Sequence, residues 1–134
     1  MTSTTPTYGL KKTLALTTNE ADARVREELK KEGFGVLTEI DVRRTLKERL
    51  DVDFRPYRIL GACNPTLAHQ ALSEELDIGL LLPCNVVVYE GDSPEQSVVA
   101  IMDPETQLSV SGREDMVPLA REVRHRLERV LSAL

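Results

Sequence analysis

The run Leu80-Leu81-Leu82-Pro83-Cys84-Asn85-Val86-Val87-Val88-Tyr89, the segment Gly91-Asp92-Ser93-Pro94 and the stretch Gln96 to Met102 together decide the fold. Leu80 to Tyr89 is apolar almost without alternation, so it reads as a strand buried on both faces. Gly91 to Pro94 has the composition of a turn. Gln96 to Met102 then returns as an antiparallel partner.

Working outward, Asn64-Pro65 is a helix start. Asn is a favoured N-cap, and Pro at the first helical position gives up no hydrogen bond. That helix is expected to reach Leu76 or Asp77, burying Leu67, Ala68, Ala71, Leu72 and Leu76, with Gly79 ending it. Phe54 to Cys63 supplies the strand before it. Further back, Asp41 caps a short helix carrying Val42, Leu46 and Leu50, and Phe34 to Ile40 is a strand with Phe34, Val36, Thr38 and Ile40 on one face. Thr17 with Glu20 fits a capping box, and Ala21, Val25 and Leu29 give the following helix a narrow apolar stripe up to Gly33. Tyr8 to Leu16 is the first strand, and residues 1–7 read as a flexible tail ahead of a single domain over residues 8–134. Toward the C-terminus, Leu108 and Val110 suggest a last short strand or irregular segment. From Asp115 to Leu134 a helix places Leu119, Ala120, Val123, Leu127, Val130, Leu131 and Leu134 on one stripe. The order β-α-β-α-β-α-β-β-α gives an α+β fold: a mainly antiparallel sheet with helices packed on one side.

The 134 residues carry 17 Lys plus Arg against 22 Asp plus Glu, a formal net charge of -5. That balance offers no general attraction to phosphate backbones, and only Tyr8, Phe34, Phe54, Tyr57 and Tyr89 are available to stack on bases, so no nucleic-acid partner is expected. Arg121, Arg124, Arg126 and Arg129 on the last helix are interrupted by Glu122 and Glu128 and read as a solvated face. No apolar run reaches the ~18–20 residues of a membrane span, and no signal peptide is visible. A cytoplasmic location without a membrane partner is the expectation.

From Ile59 to Tyr89 the only charges are Glu74, Glu75 and Asp77, so this stretch reads as interior or interface. It holds both cysteines, each followed by an asparagine. Cys63 precedes the helix that Asn64 caps, where unpaired N–H groups and the helix dipole favour thiolate. Cys84 follows Pro83, which marks a bend. If the two segments are neighbouring strands, Asn64 and Asn85 can hold a small anion or carbonyl beside the thiols. The competing reading is two buried thiols acting as small apolar residues, with structural asparagines. His69, six residues after Cys63, is misplaced for a Cys–His pair and is the weaker candidate. Cys63, His69, Cys84 and His125 lack zinc-site spacing, whereas a single thiolate or imidazole suffices to ligate haem.

Other motifs are thin. Gly33-Phe34-Gly35 opens a strand and lacks the third glycine of a dinucleotide turn. Ser111 reads as loop, and Glu39 with Asp41 as ordinary surface charge.

The segments Gly33 to Ile40, Tyr57 to Pro65, Ala68-His69, Gly79 to Val86 and Asp103-Pro104, with the C-terminal helix, closely resemble the family called domain of unknown function 302. The resemblance implies an α+β fold of the TATA-binding-protein-like class, as a homodimer, and does not imply DNA binding. It raises the standing of Cys63, Asn64, Cys84 and Asn85 as a site. Three functions stay open: a thiol-centred redox or sulfur-handling site; a protein binding a metal, haem or small molecule in the same pocket; and a structural or regulatory dimer with inert cysteines. Neither reaction nor cofactor is specified.

Overall fold

Hydrogen bonding along five strands sets the frame: β1 (Gly9–Leu14), β2 (Gly35–Asp41), β3 (Tyr57–Cys63), β4 (Cys84–Glu90) and β5 (Ser97–Met102). In the computed structural model, which describes residues 4–134, they form one sheet in the order β1-β5-β4-β3-β2, every pair antiparallel. The helices are α1 (Thr18–Lys31), α2 (Val42–Leu50), α3 (Pro65–Glu74), α4 (Pro104–Ser109) and α5 (Val117–Ala133). The fold is α+β, as the order of elements predicts.

Local chemistry starts the helices where the sequence says it should. Thr17 Oγ1 accepts the Glu20 N–H at 3.2 Å while Glu20 Oε1 accepts the Thr17 N–H at 3.0 Å, a complete capping box. Asp41 accepts from the Arg44 N–H at 3.1 Å, and Asn64 Oδ1 from the Leu67 N–H at 3.2 Å. Gly33, just past α1, has φ +87°, a left-handed conformation that glycine adopts without penalty.

Ala21, Val25 and Leu29 of α1 and Leu127 and Val130 of α5 pack on one face of the sheet, against Leu14, Leu60, Ala62, Cys84, Val86, Val88, Val99 and Ile101. Full burial of each Leu or Val contributes about 1.5–3 kcal/mol, so this layer dominates stability. A second cluster, Ala71, Ile78, Leu108, Met116 and Ala120, joins α3 and α4 to α5. Lys12 Nζ donates to the Leu131 and Leu134 carbonyls at 3.2 and 2.7 Å, tying β1 to the electronegative end of α5.

Four expectations are corrected. Leu80 to Tyr89 is not a strand buried on both faces: β4 begins only at Cys84, Leu80 is 87% exposed, and Asn85 is exposed. The helix after Asn64 ends at Glu74, and Leu76–Leu81 forms a 3-10 segment that contains Gly79. Leu76 is therefore 86% exposed instead of buried. Phe34, Val36, Thr38 and Ile40 do not share one face, because the β2 register shifts between Val36 and Thr38 and the extra residue reverses the alternation. Leu108 lies in a helix, since Asp103 caps Pro104 and accepts the Glu105 N–H at 2.9 Å. Of the expected tail, residues 1–3 lie outside the described residues; Pro6 already accepts a hydrogen bond from the Gly9 N–H at 3.1 Å.

Candidate functional site

β3 and β4 are adjacent, as the candidate site requires, with Gly61 opposite Asn85 and Ala62 opposite Cys84. Side chains along a strand alternate between faces, and partners in register share a face. Ala62 and Cys84 both belong to the core layer under the helices. Cys63, one residue on, therefore belongs to the opposite, open face with Gly61 and Asn85. The four expected residues are close in the fold but divide into two pairs.

The pair under the helices is structural. Cys84 is 7% exposed, and its thiol donates to the Met102 carbonyl at 3.4 Å. Burial, with a smaller contribution from the nearby Asp103 carboxylate, pushes that thiol up to about 12. Thiolate is the reactive form, so a thiol held protonated in this way is a poor nucleophile at ordinary pH. Asn64 is also 7% exposed, and both ends of its amide are used: Oδ1 caps α3, and Nδ2 reaches the Glu32 carbonyl at 3.5 Å. It ties the start of α3 to the end of α1 and has no amide end left to aim at a ligand.

Beside this pair lies a small apolar cavity of about 50 Å³ lined by Phe34, Ala62, Leu67, Ala68, Cys84 and Leu108 among others. Both cysteines border it, Cys84 from the core and Cys63 as the last residue of β3.

On the open face, Gly61 lies between two exposed polar side chains, Thr38 on β2 and Asn85 on β4, with Thr38 and Pro83 closing over it. A Cβ at Gly61 would sit 2.1 Å from Thr38 Oγ1 and 2.9 Å from Pro83 Cγ, so the position has room for no side chain at all. Cys63 is the next residue of β3 on that face, half-buried and free. Burial pushes its thiol above the ordinary value, opposite to the direction expected from its place before a helix. Thiol, hydroxyl and amide thus share the open face, with the space directly over Gly61 taken by Thr38 Oγ1 and Pro83.

His69 is exposed on α3 and lines neither the cavity nor the open face. Among the described residues no three His, Cys, Asp or Glu side chains converge as a metal site, and no helix is long and apolar enough to cross a membrane. Thr38 and Gly61 were not singled out in the sequence. Alternation counted from Cys63 and Asn85 finds Gly61, while Thr38 stays hidden because the β2 bulge changes its face.

The family model described as domain of unknown function DUF302 matches residues 10–134, and the chain belongs to that family. Its fold is similar to the crystal structure of uncharacterized conserved protein DUF302 from Bacillus stearothermophilus, at 30% identity and a TM-score of 0.87, covering 96% of this chain and 98% of that one. No curated protein matches the sequence.

Proposed function

We propose that this DUF302 protein is a small-molecule-binding dimer of the cytoplasm, whose site lies on the open sheet face beside Asn85, with Cys63 and Thr38 as further polar groups of that face. The observation that carries the reading is the division of the two Cys-Asn segments between the faces of the sheet. A dithiol redox cycle needs two thiols able to meet, with Cβ atoms ~3.5–4.5 Å apart and directed at one another. Strand alternation puts Cys63 and Cys84 on opposite faces, which disfavours that geometry although both residues border the small cavity. Elevated thiols on both sides also favour a contact role for Cys63 over a fast nucleophile. A haem reading draws no support from the cavity beneath the helices: about 50 Å³ falls well short of the ~300–1,000 Å³ of ligand pockets.

The experiment is diamide oxidation of the native protein followed by non-reducing peptide mapping. The binding reading expects no Cys63–Cys84 bridge within a chain. Recovery of that bridge in good yield from folded protein would favour the dithiol reading over the binding one.

Dimerisation is favoured by α2. Val42, Leu46 and Leu50 recur on one stripe, yet the helix buries none of its residues, and a helix with an apolar stripe ordinarily needs something to cover it. Around it Leu37, Ile40, Leu50, Val52 and Phe54 are 42–67% exposed. A second copy would cover this patch.

A further inference from the structure

The aromatic residues of the chain are unevenly distributed. There are five, Tyr8, Phe34, Phe54, Tyr57 and Tyr89, and of these only Phe34 lies in the core. Tyr8, Tyr57 and Tyr89 line one groove of about 380 Å³ beside Lys11, Asn85 and Met102. Tyr57 and Tyr89 meet edge to face, ring centres 5.2 Å apart, and Phe54 continues the row 6.2 Å from Tyr57. The groove falls within the ~300–1,000 Å³ of small-ligand sites.

Its charge is the reverse of the molecule's. The chain has five more acidic than basic residues, yet among the described residues no carboxylate lines this groove and Lys11 is its only charged group. Lys11 Nζ lies 6.0 Å from the centre of the Tyr89 ring and donates to the Thr4 carbonyl at 3.2 Å. The other polar groups are the three phenols and the Asn85 amide, all able to donate. Burial, with the phenols of Tyr89 and Tyr8, pushes the Tyr57 phenol above its ordinary value, so it remains a donor throughout the physiological range. An isolated Lys among donors, with aromatic walls and no counter-ion, is complementary to one negative charge on a flat apolar body.

We propose that this groove binds a small aromatic anion, a carboxylate or sulfonate, with its ring against Tyr57 and Tyr89 and its charge at Lys11 and Asn85. The inference rests on the binding reading, shares Asn85 with it, and adds both the groove on that face and the class of ligand. The two fail separately, since diamide mapping tests the position of the thiols and requires no ligand.

The test is amide NMR of the full chain titrated with 1-naphthoate, with 1-naphthalenemethanol as the uncharged counterpart. The expected result is shifts at Lys11, Asn85 and Tyr89, with binding of the acid about tenfold tighter than of the alcohol, a preference that added salt weakens. Lys11→Met removes the preference and Lys11→Arg keeps it. Equal binding of acid and alcohol would overturn the proposal, as would naphthoate shifts confined to other residues. Shifts at the same amides on raising protein concentration alone would also overturn it, by showing a second copy in the groove.

Discussion

Cys63 and Cys84 stand one register step apart on neighbouring strands and belong to opposite faces of the sheet, Cys84 in the core and Cys63 on the open side. Closeness in the fold has not produced a shared site. Cys84 packs in the core, and Cys63 is the thiol that the proposed binding site uses.

Asn64 and Asn85 divide in the same way, and their alanine variants should separate cleanly. Asn64→Ala removes an N-cap and the bond to Glu32, at a cost of about 1–2 kcal/mol. Asn85→Ala removes an exposed amide and should change stability by less than about 0.5 kcal/mol. Urea unfolding of the two variants checks this, and equal losses would contradict it.

Gly61→Ala should be the most damaging single-methyl change in the sheet. The added Cβ collides with Thr38 Oγ1 and Pro83 Cγ, and overpacking of this kind costs about 1–3 kcal/mol or more. Adding Thr38→Ala to Gly61→Ala removes the Oγ1 clash and should restore part of the loss in thermal melts, while the Pro83 contact keeps recovery incomplete.

Stability should fall on the alkaline side. The folded-state value of Cys84 is pushed up to about 12, whereas an unfolded thiol ionises near ~8.5. Between the two the unfolded chain has released a proton that the folded chain retains, so rising pH favours unfolding. The contribution of Cys84 is complete below ~8.5 and is lost as pH climbs toward about 12. In Cys84→Ala this part of the alkaline decline should disappear from urea midpoints measured between about pH 8 and pH 10, at the cost of about 1 kcal/mol at neutral pH from the lost packing.

Leu50→Asp places a charge on the apolar stripe of α2, where Leu50 is 66% exposed. Sedimentation should show a dimer for the unmodified chain and a monomer for the variant, with helical content unchanged. A variant that sediments like the parent would remove α2 from the interface.

The architecture was largely legible because its signals are local. Thr17–Glu20, Asp41 and Asn64-Pro65 start helices by capping chemistry that needs no tertiary context, and the Gly91–Pro94 turn forces the antiparallel return of β5. What resisted reading depends on where a chain of apolar residues goes. Leu76 and Leu80 look like core by composition, yet the 3-10 segment turns both outward. The bulge in β2 has no marker in its sequence, so the face of Thr38 followed only from the register. The nearness of the two Cys-Asn segments was legible in the sequence, and their arrangement was not. Cys63, Asn64, Cys84 and Asn85 do cluster where β3 meets β4, but two of them belong to the core, and their partners Thr38, Tyr57, Tyr89 and Lys11 come from strands whose pairing no local pattern shows.

With Cys84 in the core, the folded protein should offer a single accessible thiol, Cys63. Iodoacetamide labelling of the native protein at several pH values, with mass mapping of each cysteine, tests it most directly. Cys63 is expected to label, accelerating only at pH beyond the ~8.5 at which a free thiol ionises because burial raises its thiol, while Cys84 stays unlabelled until the protein unfolds. Labelling of Cys84 in the folded protein at a rate comparable to Cys63 would contradict it.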